Sequence, residues 1–270
     1  MPVISKIVLQ KHNKERYSIF TDSGAGEVYA FSVDEDVLIK YQLKKGMELD
    51  ESAVADMLFQ DDIRKAYNAA VHYLSHRMRS EGEVREHLQK KEISEPVIQE
   101  AIDKLYQFNF LNDEEFALAF VRTQMNTTDK GPEVVKMDLK QKGLSGTIIK
   151  SALKEYPLDV QVEKAVQLGR KYAAKNQKDS SRILKQKLEQ LLIRKGYPFQ
   201  VISIAMEDIT VEKQKESEMD ALIFQGEKLS RKHSKLSGAE LTQKIKQGLY
   251  KKGFPMDMIE RYMQDLDGKD

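Results

Sequence analysis

One phrase recurs four times along this chain, and it restricts the fold more than any other feature. A leucine is followed by polar residues, a lysine, usually a glycine, then an apolar residue and an isoleucine. It reads Leu88…Lys91-Glu92-Ile93…Ile98, then Leu139…Lys142-Gly143-Leu144…Ile149. It returns as Leu192…Lys195-Gly196-Tyr197…Ile202 and Leu249…Lys252-Gly253-Phe254…Ile259. The leucines stand 51, 53 and 57 residues apart. Recurrence at that period marks a repeat architecture, in which each unit buries its apolar face against its neighbours. Such chains form extended binding surfaces more often than closed catalytic pockets.

The agreement goes beyond the phrase. Val84, Val135, Leu188 and Ile245 stand one helical turn before each leucine. Ile102, Leu153, Met206 and Met263 follow it, and then Leu105, Tyr156, Ile209 and Leu266, of which Tyr156 is the least similar. Steps of three and four predict two amphipathic helices per unit. The lysine-glycine pair ends the first of them, because lysine suits the negative end of the dipole and glycine accepts a left-handed cap. Glu92 occupies the glycine position in the first unit, where that cap is costly.

A third apolar-periodic stretch precedes each pair. The first starts near Asp61 or Asp62 and carries Ala66, Ala69, Ala70, Tyr73 and Leu74. Its counterparts run from about Asn112 to Met125, Asp159 to Lys175 and Val211 to Lys232. Ser80 with Glu83, and Asn112 with Glu115, have the spacing of capping boxes. The expected fold is therefore mainly α, an elongated tandem array of four three-helix modules. These span residues 61–111, 112–157, 158–209 and 210–270.

Residues 1–60 read differently. Val, Ile, Tyr, Phe and Thr over 3–10 and 15–21, and again over 27–33, predict strands. Gly24 and Gly26 suit a hairpin turn, since no phosphate-cradle spacing follows them. Short helices are expected at 36–43 and 52–60. This small β-containing extension would cover the open face of the first module.

Composition sets limits. Among 270 residues there is no Cys, so disulfides and thiolate sites are excluded. No apolar run has the length of a membrane span or signal peptide, so a cytoplasmic protein is expected. Net charge is only +1, but residues 1–60 carry −3 and the remainder +4. The excess lies in short basic runs at matching places in the modules, where a solvated helix face would give much of the same pattern.

No catalytic constellation stands out. His72 and His76 have the spacing of a metal pair, with Glu83 or His87 as the nearest further ligands. Such pairs also arise on solvated helices, and no metal or other cofactor is expected. Asp61-Asp62 and Glu114-Glu115 fit helix starts, where acids complement the dipole. The 11 methionines suit core packing.

The string Ala70-Val-His-Tyr73-Leu74-Ser75-His-Arg77-Met-Arg79-Ser80-Glu-Gly-Glu83-Val84 resembles the opening phrase of RecX regulatory proteins. The run Phe110-Leu111-Asn112-Asp113-Glu-Glu-Phe116-Ala117-Leu-Ala-Phe120-Val121-Arg122 is similar to that family's most recognisable segment. Lys130-Gly131 and Leu139…Leu144 follow at the family's usual distance. The resemblance implies a non-enzymatic modulator, mainly an inhibitor, of the recombinase RecA. Family members bind the RecA filament on single-stranded DNA and reduce its ATP hydrolysis and strand exchange.

A monomer spanning several protomers could sum many weak contacts. The residues expected to carry them are Arg77, Arg79, Arg85, Lys90, Lys91, Arg122, Lys140, Lys142, Arg194, Lys195, Lys251 and Lys252. Phe108, Phe110, Leu111, Phe116, Phe120 and Val121 are expected in the core. The alternative is a direct DNA-binding protein built of tandem helix-turn-helix-like bundles, using the same basic spots. The near-neutral charge disfavours it, leaving weak DNA affinity as a side property.

Overall fold

The structure is a computed structural model that describes residues 2–24, 26–209 and 215–267. It contains β1 (Val3–Leu9), β2 (Arg16–Asp22) and β3 (Glu27–Asp34), joined as an antiparallel meander in the order β1-β2-β3. The glycine turn between β2 and β3 is tied by the Asp22 carboxylate, which accepts from the Gly24 and Gly26 N–H groups. α1 (Glu35–Lys40) and α2 (Glu51–Leu74) follow. Ile4, Ile19, Phe31, Val33, Val37, Leu49 and Met57 close one core between the sheet and the start of α2.

The helices then come in threes. The first module joins the end of α2 to α3 (Glu81–Gln89) and α4 (Glu95–Gln107). The second has α5 (Asp113–Thr127), α6 (Pro132–Gln141) and α7 (Gly146–Ala152), with a 3-10 turn at Leu153–Glu155. The third has α8 (Leu158–Lys175), α9 (Ser181–Arg194) and α10 (Phe199–Asp208). The fourth has α11 (Lys215–Lys232), α12 (Gly238–Lys251) and α13 (Met256–Asp267). The expected start of α11 at Val211 lies outside the described residues. Two compact units contain these elements: residues 1–117 with 141–148, and residues 118–140 with 149–270. No helix among the described residues is long and apolar enough to cross a membrane.

The repeated apolar residues do what their spacing requires. Leu88, Leu139, Leu192 and Leu249 are fully buried, as are Ile98 and Ile259, with Ile149 and Ile202 nearly so. Tyr156 is buried too, and its hydroxyl donates to the Lys130 carbonyl at 3.2 Å. The larger residue is accommodated because its one polar atom has a partner.

Two expectations need correction. α2 begins at Glu51, so residues 52–60 are the first turns of a long helix and Asp61 lies in its middle. Asp61 imitates a cap in sequence, but its carboxylate is buried against the N-terminal sheet. Phe108 and Phe110 are 59% and 49% exposed, not core. The turn after α4, with Asn109 at φ +59°, turns both rings outward, where each meets the Tyr67 ring edge-on. Leu111, Phe116 and Val121 are buried as expected, and Phe120 is half-buried.

Candidate partner-binding surface

The lysine-glycine turns come first, because what they contact decides which basic groups remain available. Gly143, Gly196 and Gly253 have φ of +84°, +83° and +81°, the left-handed cap that spacing predicts. In each case the preceding lysine's carbonyl leaves the helix and is received by the module before. The buried Ser80 hydroxyl donates to the Lys142 carbonyl at 2.7 Å. The buried Ser180 hydroxyl donates to the Lys252 carbonyl at 2.5 Å. Gly131 replaces serine at the middle junction, where its own N–H donates to the Lys195 carbonyl at 2.7 Å and the Glu133 N–H to the Gly196 carbonyl.

Both serines work twice. Each hydroxyl donates across the junction while accepting from its own helix, from the Glu83 N–H or the Ile183 N–H. Ser80 and Glu83 complete the expected capping box. Asn112 accepts from the Glu115 N–H, the forward half of the second.

A buried carboxylate supports the same joints. Asp113, at the start of α5, accepts from the Glu81 N–H at 2.8 Å. Glu218 of α11 accepts from the Ser181 N–H at 3.0 Å. The middle junction begins with Pro132, which has no N–H to satisfy. Asp61 extends the pattern to the sheet: it accepts from the Asp34 N–H at 2.8 Å, at the start of α1. The Arg16 guanidinium grips both Asp61 oxygens, at 3.1 and 2.8 Å, and Lys65 adds a contact at 2.9 Å. Burial raises the Asp61 pKa, but Arg16 and Lys65 outweigh it and hold the carboxyl below its ordinary value. Burial, together with the nearby Glu81 and Glu83, pushes Asp113 up against the hydrogen bond it accepts.

The twelve expected basic residues now divide. Arg79 stacks on Tyr73, 3.6 Å from the ring centroid, and bonds the Tyr73 carbonyl and hydroxyl. Arg85 reaches Glu81, Glu95 and Gln99. Arg77 and Lys142 meet on one carboxylate, Glu83, at 2.8 and 3.0 Å. Burial alone would raise Glu83, yet these two cations lower it to about 2. Arg122 pairs with Glu155 at 2.8 Å across a more exposed surface. Lys195 and Lys252 are half-buried and give their carbonyls to the junctions. Lys90 carries an exposed pair with Glu86 one turn back. Lys91, Lys140, Arg194 and Lys251 are exposed near the ends of second helices.

Sequence reasoning missed the apolar neighbours of the last two. Ile193 and Tyr250 are 58% and 57% exposed, and Phe199 and Met256, across the turns, are 78% and 49%. The corresponding residues in the first two modules are Gln89 and Glu95, then Lys140 and Gly146. That substitution of apolar for polar at an outward position was the available signal. The histidines offer no rival centre: His87 stacks on Tyr73 at 3.9 Å and Glu83 is committed to two cations. Among the described residues no group of three or more His, Asp or Glu is placed to hold a metal.

A small sheet followed in the chain by three-helix modules that share turn contacts defines a tandem helical-repeat protein. The family descriptions that match it are specific. The Regulatory protein RecX N-terminal domain matches residues 2–50, and the first RecX three-helix domain residues 66–105. The second three-helix domain matches 112–153, and the third matches twice, over 159–206 and 216–263. The chain belongs to the RecX family. It is 44% identical over 264 residues to the regulatory protein RecX of Bacillus cytotoxicus, covering 98% of each. Identity to that of Bacillus cereus is 43% over the same share. A crystal structure of regulatory protein RecX superposes with a TM-score of 0.68 at 35% identity, covering 77% of this chain and 100% of the other. RecX from Lactobacillus salivarius gives 0.54 at 40% identity, over 57% of this chain and 99% of the other.

Proposed function

We propose that this chain is a non-enzymatic modulator of a RecA-type recombinase, acting as a cytoplasmic monomer. It binds along the recombinase filament on single-stranded DNA and mainly reduces ATP hydrolysis and strand exchange. The observation that carries this reading is family membership over nearly the whole length, in relatives named as regulatory proteins. The outward groups supply the contacts: Lys91, Lys140, Arg194 and Lys251, with Ile193, Phe199, Tyr250 and Met256 beside the last two. Cations bring salt-dependent attraction to acidic protomer surfaces, and exposed aromatics bring contact area. Spread over several modules, weak contacts add through effective concentration.

The test is to titrate the purified chain into a recombinase reaction on single-stranded DNA and follow ATP hydrolysis. Hydrolysis is expected to fall at concentrations well below that of the recombinase, without the chain coating DNA by itself. Unchanged hydrolysis at saturation would refute the reading. The alternative of direct DNA binding draws on one observation, an exposed aromatic beside an exposed cation at both late turns (Phe199 with Arg194, Tyr250 with Lys251). It predicts tight, salt-sensitive binding to single strands with no recombinase present.

A further inference from the structure

The third module carries a groove on one side. Between α8 and α10 lies a cavity of about 630 Å³ lined by Leu158, Val162, Val166 and Ile204, with Asp159, Glu163, Gln167, Arg170 and Asp208 around it. Its volume is within the roughly 300–1,000 Å³ typical of sites that enclose small ligands or a few side chains. Leu158 and Ile204 are 44% and 38% exposed, so these two aliphatic side chains face water.

Val162 and Val166 also serve the module's core, whereas Ile204 stands outside it. The residue two places after each repeated isoleucine is Glu100, Ser151, Ile204 and Arg261 in turn, and it is outward-facing in every module. Only the third module places an aliphatic chain there. On its acidic rim, Glu163 accepts from the neutral Gln167 side-chain amide at 3.0 Å and pairs with no cation among the described residues. Glu155, the counterpart of Asp208 in the second module, is paired with Arg122. Asp159, Asp208 and Arg170 form no ion pair among the described residues. Three carboxylates against one guanidinium leave the rim net negative.

We propose that this groove docks a protein segment of aliphatic and basic residues, its Leu or Ile side chains on the floor and its Lys or Arg against Asp159, Glu163 and Asp208. The aliphatic floor rewards burial of branched side chains, and the rim selects cations and repels acidic segments. An amphipathic helix laid in a groove has this form. The inference stands on the groove alone, independently of the recombinase reading.

The full chain is titrated with a labelled helical peptide of leucine and lysine, read by fluorescence anisotropy, beside a leucine–glutamate peptide. Binding of the lysine peptide is expected, weakened about tenfold or more by I204R and by D208K. D265K, the matching change in the fourth module, is expected to leave it unaltered. Circular dichroism verifies that each variant is folded. Equal loss in D265K would mean diffuse attraction, and equal binding of the glutamate peptide would mean no selection by the rim. Either result overturns the proposal. So would concentration-dependent self-association by ultracentrifugation that I204R abolishes, since the occupant would then be a second copy.

Discussion

The first and second modules end their middle helices with nearly the same phrase, yet the two turns live in different surroundings. In the second, Gly143 is left-handed and lies against Gly82 of the module before, so closely that a Cβ on Gly143 would stand 3.1 Å from the Gly82 Cα. In the first, Glu92 holds the same left-handed shape at φ +61° and is exposed, with no module docked upon it. Backbone geometry alone therefore does not demand glycine; the close approach of a neighbour does. The serines give the same lesson from the other side. Ser80 and Ser180 are buried and bond a following turn, whereas Ser237, at the matching place in the fourth module, is exposed and makes no side-chain cap bond.

That contrast can be broken deliberately. The largest effect is expected at Asp61, where the sheet joins α2. Asp61→Ala leaves the Arg16 guanidinium without its buried partner and should cost about 3–5 kcal/mol in chemical denaturation. Gly131→Ala is next. Its Cβ would stand 2.5 Å from the Gly196 carbonyl carbon and oxygen. Backbone on both sides cannot yield freely, so about 1–3 kcal/mol should be lost. At the open first turn the sign reverses. Glu92→Gly relieves a left-handed non-glycine residue and should raise stability by about 1 kcal/mol.

Acid titration sharpens the comparison further. Glu83 joins Arg77 to Lys142 across the first junction, with its folded pKa lowered from 4.5 to about 2. A depressed carboxylate stabilises the fold above its unfolded value. That contribution is complete above about pH 4.5 and is lost as pH falls toward 2. Glu83→Gln should remove this component from the acid unfolding curve and leave the remaining pH dependence in place. Asp113 has the opposite shift, so its ionisation opposes stability as pH rises.

Much of this was legible in the sequence, and the failures share a cause. Val84, Leu88, Ile98 and their counterparts announced helices and core because an amphipathic period is a local property. The lysine-glycine cap was legible for the same reason. Its recipient was not: Ser80 and Lys142 are 62 residues apart, and Ser180 and Lys252 are 72. No local pattern ties a serine hydroxyl to so distant a carbonyl. Asp61 was misread because an acid before an apolar run looks like a helix start, while its partners Arg16 and Asp34 come from another element. Phe108 and Phe110 were misread because size predicts burial on average, and here a turn faces them outward. Among the basic residues, periodicity could not separate Arg79 and Arg85, engaged within their own module, from the exposed Lys91 and Lys140.

The smallest effect on folding, and the largest on function, is expected from the outward cations. A variant combining Lys91→Glu, Lys140→Glu, Arg194→Glu and Lys251→Glu should fold normally, each change altering stability by no more than about 0.5 kcal/mol. Titrated into a recombinase filament on single-stranded DNA, it should need about tenfold more protein than the parent to reduce ATP hydrolysis. If the folded variant reduced hydrolysis at the parent's concentration, the division between cations that hold modules together and cations that meet the filament would be wrong.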